Sequence, residues 1–326
     1  MNYICFDLEG PLSPQDNAYE LMSLFPQGGQ VFEVISRYDD LLALEGREDY
    51  EPGDTLALII PFLVCHGISE DDIRRLAEKA SVVEGAHELI TGLKEWQVFC
   101  ISTSYEQYAR RIVQRVGIPQ DNLACTRFAL NQYRNMAKKE DLAKVEGMER
   151  EILSMNREDD EGIKSRLNLF FWNELPETSL GPALDEVKAM GGQRKVASLS
   201  RFATENTCAL GDWIVVGDSI TDFKMLQAVH EAGGLAIAFN ANEYALPYAT
   251  MGLASTNLGD LRVVLDAWEK GGKASVEEVV RERERAGGKG DREHFHWLCG
   301  QEDLEEVLSV HKRIRGVVRK QAAKLG

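Results

Sequence analysis

The sequence predicts an α/β protein: a Rossmann-like parallel sheet with a mainly helical module inserted after its first strand and a second insertion further on. Three observations predict it. The chain opens on a short apolar run, Tyr3-Ile4-Cys5-Phe6, that breaks into acid, apolar, acid and then Gly10-Pro11, the pattern of a buried strand stopped by a turn. Strand-like and helix-like stretches alternate from residue 85 to 126 and again from 195 to 269, which implies parallel strands joined by helical crossovers. Residues 13–80 follow three-to-four apolar spacing with no strand pattern between them.

In order, Ala18-Leu21-Met22-Phe25 and Val31 to Leu42 read as helical. Asp54 is placed to cap a helix over Thr55–His66 that is apolar nearly all round, and Ser69 with Asp72 opens another over Asp71–Ala80. Gly85–Glu95 is amphipathic. Val98–Ile101 reads as the second strand, ending in Ser102-Thr103-Ser104, and Tyr105–Val116 as a helix closed by Gly117. Leu123–Thr126 is the third strand. Residues 138–166 are dense in both charges and read as solvated helix, while Leu184–Met190 reads as a short helix. Lys195–Ala203 is helical, and Trp213–Gly217 is the fourth strand. Leu235–Phe239 and Leu253–Ser255 are further strands, and Leu258–Glu269 is a helix. Gly271-Gly272 marks a boundary, beyond which Val276–Arg285 and Leu304–Val318 are charged amphipathic helices.

Composition narrows the function. The chain has 326 residues and a net charge of −16, which argues against nucleic acid as its main partner. Six cysteines lie far apart without a CxxC pair, the usage of reduced thiols in a cytoplasmic protein. The N-terminus shows no signal-like run. The longest apolar run, 56–65, is too short to span a bilayer and contains Pro61.

Two stretches carry chemistry. Asp7 and Glu9 fall at the carboxyl end of the first strand, where open α/β sheets bind ligands, and two carboxylates so close call for a cation or a proton. Gly217-Asp218-Ser219-Ile220-Thr221-Asp222 follows the fourth strand, and its acids four apart share a side of one helical turn. Each residue also has a plainer role open to it. Ser219 and Asp222 suit a helix-capping pair, and Ser102 suits a turn. Lys195 could be a surface lysine, with Lys188 and Lys224 as rivals. His294, His296 and Cys299 form a weaker metal candidate without an obvious fourth ligand.

Taken together, Phe6-Asp7-Leu8-Glu9-Gly10, Ser102, Lys195 and Gly217 to Asp222 resemble, in order and spacing, the four motifs of the haloacid dehalogenase (HAD) superfamily. The helical insert resembles the cap of its phosphoserine-phosphatase-like branch. Asp7-Leu8-Glu9-Gly10-Pro11 more weakly resembles the HAD proteins known as subunit R of archaeal energy-converting hydrogenase. Two departures stand out: Glu9 replaces the usual second Asp, and Pro11 the usual Thr or Ser. The resemblance implies a core of residues 1–12, 81–128 and 193–272, a cap of 13–80, a second insertion of 129–192 and a helical C-terminal extension of 273–326.

It also implies a Mg²⁺-dependent phosphatase acting on a small phosphorylated metabolite. Asp7 would attack phosphorus, and Glu9 would serve as acid and base. Ser102, with the backbone N–H groups of Leu8 and Thr103, would hold the phosphoryl oxygens, and Lys195 would offset their charge. Asp7, Asp218, Asp222 and the Glu9 carbonyl would hold Mg²⁺. The alternative is a HAD-fold binding or accessory protein that keeps the metal site but turns over little. Residues 311–326 carry Lys312, Arg313, Arg315, Arg319, Lys320 and Lys324 and no acid, which suits docking on an acidic partner. The C-terminal helices could also self-associate through the Leu304, Val307, Leu308, His311 and Ile314 stripe. No motif residue lies beyond Gly272, so the metal site is expected to be complete without that tail.

Overall fold

The computed structural model describes residues 1–287 and 292–325. In the first strand, β1 (Asn2–Phe6), alternation sends Ile4 and Phe6 to one face of the sheet and Tyr3 and Cys5 to the other, as a two-residue period requires. β1 is central in a seven-stranded sheet of order β3-β2-β1-β4-β5-β6-β7. β2 (Trp96–Tyr105), β3 (Leu123–Thr126), β4 (Trp213–Gly217), β5 (Leu235–Phe239) and β6 (Met251–Ser255) continue it in parallel. β7 (Glu293–Trp297) closes the edge antiparallel to β6. β4, β5 and β6 are buried at every position, because apolar layers cover both faces.

Beyond β1 the chain enters the helical module: α1 (Asn17–Met22), α2 (Gly28–Glu45), α3 (Thr55–Leu58), α4 (Ile60–Cys65) and α5 (Glu70–Lys79). The single helix expected over 55–66 is two short ones, because Pro61 has no N–H to continue the ladder and sits instead in the first turn of α4. Asp54 does not cap α3. Its carboxylate accepts from the N–H groups of Glu51 and Ala189 and pairs with Arg194. The Ser69–Asp72 capping box at α5 is present in both halves.

α6 (Ala86–Gly92) and α7 (Glu106–Val116) flank β2. The second insertion holds α8 (Leu130–Met136), α9 (Lys139–Ser154), α10 (Asp160–Leu169), a π turn over Phe170–Glu174 and α11 (Pro182–Glu186). Its charged stretch is not simply solvated. Val145, Met148 and Ile152 of α9, with Ile163 and Leu167 of α10, are buried in one cluster with Val31, Ile35 and Phe62 of the first module. The Tyr38 hydroxyl donates to Asn168 at 2.6 Å and accepts from Trp172 at 2.8 Å. The two insertions therefore pack as one helical layer.

α12 (Gln193–Glu205) and α13 (Phe223–Glu231) cover the other face. α14 (Arg262–Ala286) runs through Gly271-Gly272 as a kinked helix, the two glycines having non-helical backbone angles. The C-terminal stretch is helical over both segments expected to be so, but it also holds a strand and packs on the core. It supplies β7 and then α15 (Glu305–Leu325), burying Phe295, Trp297, His311, Ile314 and Val318. The Lys324 side chain lies outside the described ones. Among the described residues no helix is long and apolar enough to cross a membrane, and all six cysteines are free thiols.

Candidate active site

β1 and β4 are adjacent, so the residues that follow them, Asp7 and Asp218, meet at the carboxyl edge of the sheet. One oxygen from each of Asp7, Asp218 and Asp222 lies within 4.8 Å of the others, all three side chains being buried. Lys195, from the first turn of α12, is fully buried and bridges two of them, 2.8 Å from Asp7 Oδ1 and 2.7 Å from Asp222 Oδ1. It is no surface lysine. Of its rivals, Lys224 pairs with Glu51 at 2.9 Å, and the Lys188 ammonium is 3.5 Å from the Leu184 carbonyl. Asp222 also accepts from the N–H groups of Asp218 and Ser219 through Oδ2. α13 begins after Asp222 without a side-chain cap, so the expected capping pair is not formed and these contacts instead hold Asp222 in the site.

Gly10 makes the tight approach possible. Its φ is +92°, and a Cβ there would fall 2.4 Å from the Asp218 Cγ, so any side chain would be strained and would displace that carboxylate. The turn is closed by Gly10 N–H donating to the Ser13 carbonyl and Ser13 N–H to that of Leu8. It points the longer Glu9 arm at Ser104, whose hydroxyl donates to Glu9 Oε1 at 2.5 Å.

The sequence missed two residues on α15. Arg315 forms an ion pair with Asp218 Oδ2 at 2.9 Å, and Arg319 lines the same cavity. Their signal was the basic tail, but nothing in the sequence says where a helix so distant along the chain docks. Ser102 is placed differently from expectation. It is fully buried, its hydroxyl accepts from the Ser104 N–H at 3.1 Å, and Thr103 and Ser104 line the cavity in its stead. Strand β2 runs on to Tyr105, which draws Ser102 into the sheet. His294 and His296 stand 6.4 Å apart between ring centroids. Among the described residues only the Asp7, Asp218 and Asp222 group has metal-ligand spacing.

Charge explains the titration behaviour. Burial would lower the Lys195 pKa, but the carboxylates of Asp222 and Asp7 outweigh it and hold the ammonium charged. Three carboxylates face two cations, Lys195 and Arg315, which leaves the cluster short of positive charge. Burial, with Asp222 adding to it, accordingly pushes Asp7 well above the usual carboxylate range. Burial, offset in part by Arg315, pushes Asp218 up to about 6. Glu9 is pushed up to about 8, chiefly by burial and then by Asp16. Such a site suits a hard divalent cation.

The cavity over these groups has a volume of about 310 Å³ and is roofed by α1, α2 and the start of α3.

Comparison with known proteins bears on the fold and the family. No family model matches the chain, and no curated protein does. Among solved structures, gene product AF1437 from Archaeoglobus fulgidus is 31% identical and superposes with a TM-score of 0.84, over 100% of this chain and 99% of that one. The chain belongs to the family of that archaeal protein. A phosphoserine phosphatase, solved as a phospho-aspartyl intermediate analogue, superposes with a TM-score of 0.52 at 16% identity, over 80% of this chain and 97% of that one. That likeness is one of fold, and the fold is HAD-like.

Proposed function

We propose that this family member is a Mg²⁺-dependent phosphatase that hydrolyses a small phosphomonoester through an aspartyl-phosphate on Asp7. The buried Lys195 bridge carries the reading. It fixes Asp7 at the strand end and holds a positive charge where a phosphoryl group would arrive. Asp7 Oδ1 accepts from the Leu8 N–H at 2.7 Å as well as from Lys195, which leaves Oδ2 as the attacking atom. Oδ2 forms the new bond to phosphorus while the bond to the leaving oxygen breaks, and protonated Glu9 supplies that oxygen with a proton. Glu9, now a carboxylate, then takes a proton from water. The water oxygen bonds to phosphorus, and the acyl-phosphate bond breaks to free Asp7. Thr103 and Ser104 take the phosphate-binding place expected of Ser102. The helical layer formed by residues 13–80 and 129–192 is the cap, and its enclosure of the cavity favours a small substrate.

The donor set fits Mg²⁺. Asp218 Oδ1 holds no hydrogen bond to the described residues, and Asp7 and Asp222, with oxygens already engaged, complete the anionic wall. When bound, the metal would neutralise non-bridging phosphoryl oxygens.

The Arg315–Asp218 pair favours a second reading, in which a resident guanidinium keeps the site from turning over and the protein acts as a binding or accessory partner. One experiment decides between them. A panel of phosphorylated metabolites is assayed with and without Mg²⁺, using wild type and Asp7→Asn. Metal-dependent release of phosphate, abolished by Asp7→Asn, is the expected result. Binding of Mg²⁺ and beryllofluoride without any turnover would establish the second reading.

A further inference from the structure

The tail reaches the site from outside the sheet's own crossovers. α15 is held down by fully buried His311 and Ile314 and by Val318. The His311 ring fixes its register: Nδ1 accepts from the Ala241 N–H at 2.9 Å, and Nε2 lies over Gly252, where an added Cβ would stand 2.8 Å away. Residues four apart share a helix face, so Arg315 and Arg319 follow His311 along one stripe. Both line the cavity, and among the described residues they are the only cations that do so.

The two arginines differ in what they touch. Arg315 pairs with the carboxylate of Asp218 at 2.9 Å and donates to its carbonyl at 3.5 Å. Arg319 makes no hydrogen bond or ion pair among the described residues, although Asp16, Asp39 and Asp40 line the same cavity. A phosphoryl group at Asp7 would already have Arg315 and a metal to neutralise it, with the buried Lys195 ammonium paired to Asp7 itself. Arg319 is therefore left over for a different part of the bound molecule, and its planar fork matches carboxylate and phosphate geometry.

We propose that Arg319 forms a subsite for a second anionic group, so that the substrate is a small phosphomonoester also carrying a carboxylate or another phosphate. This rests on the phosphatase reading for the placement of the first group, and the test separates the two. Three ligands that cannot be hydrolysed are compared by calorimetry with Mg²⁺ present: propylphosphonate, 3-phosphonopropionate and propane-1,3-diphosphonate. The last two differ from the first mainly in the added anion, and the better of them identifies its chemistry.

Charge-assisted hydrogen bonds of this kind correspond to a preference of roughly 10- to 100-fold. Wild type is expected to show that preference over propylphosphonate. Arg319→Gln should collapse the ratio to within about twofold, and Arg319→Lys should keep part of it. A wild-type ratio near one, or a ratio that survives in Arg319→Gln, overturns the subsite. Because binding is read without turnover, an Arg319-dependent ratio in a protein that hydrolyses nothing upholds the subsite and overturns only the phosphatase reading. Failure of all three phosphonates to bind overturns both.

Discussion

The ammonium of Lys195 lies 2.7 Å from Asp222 Oδ1, and neither side chain has any exposure to solvent. Removing one partner of such a pair strands a buried charge, at a cost of roughly 3–5 kcal/mol. Lys195→Met is expected to lower unfolding free energy by that order, because Asp222 and Asp7 both lose their cation. Equilibrium urea unfolding measures it. A loss under about 1 kcal/mol would mean that the carboxylates find another counter-charge.

Glu9→Gln keeps the size of the side chain and removes the exchangeable proton. It is expected to slow release of phosphate from Asp7 more than formation of the phosphoenzyme, since only the second step needs a base for water. Rapid-quench single turnovers would then show accumulated phosphoenzyme. Slowing of formation alone, or of neither step, would remove Glu9 from the base role.

Gly10→Ala tests the close approach to Asp218. The strained φ alone costs roughly 1–3 kcal/mol, and the added Cβ pushes the Asp218 carboxylate out of place. Weaker Mg²⁺ binding by titration and a lower melting temperature are both expected. Unchanged Mg²⁺ affinity would show that Asp218 is not a ligand.

Acid should loosen the C-terminal segment. Burial lowers the His311 pKa to about 3, with His296 and His294 adding to it, and burial lowers His296 to about 4. Groups depressed in the folded state contribute stability that is complete above their unfolded pKa of about 6.5. That stability is lost as pH falls toward the folded values. Hydrogen exchange of α15 and β7 should accelerate between about pH 6 and pH 4. The His311→Gln variant should show a flatter profile.

Truncation after Gly272 now carries the opposite expectation from the one the motifs alone suggest. It removes β7 and leaves β6 as an exposed apolar edge, an invitation to aggregation. It also removes Arg315 from Asp218. Size-exclusion chromatography should show association or loss of soluble protein. A monomeric truncated chain with wild-type Mg²⁺ affinity would restore the boundary at 272.

The sheet and the carboxylate cluster were legible because strand-end acids, alternation and helix spacing are local. Asp7, Lys195, Asp218 and Asp222 converge as their motifs imply. Ser102 went astray because a strand's last residue is set by pairing partners, here the β2–β3 register that shifts between Ser102 and Tyr105. β7 was missed because Glu293-His294-Phe295-His296-Trp297 is short and half polar, and only the edge of β6 makes it a strand. Arg315 was missed because its partner is set by where α15 docks, through contacts such as His311 with Ala241.

The pairing of Arg315 with Asp218 also sets an order of events during synthesis. Asp7 and Gly10 leave the ribosome long before the guanidinium that faces Asp218. Until then a nascent chain holds its acids at the open end of an unfinished sheet, with β6 unpaired. Messages cut short between the codons of Asp222 and Arg315 would yield polypeptides with every motif and no balanced centre. Those are the products that cellular proteases would be expected to clear first.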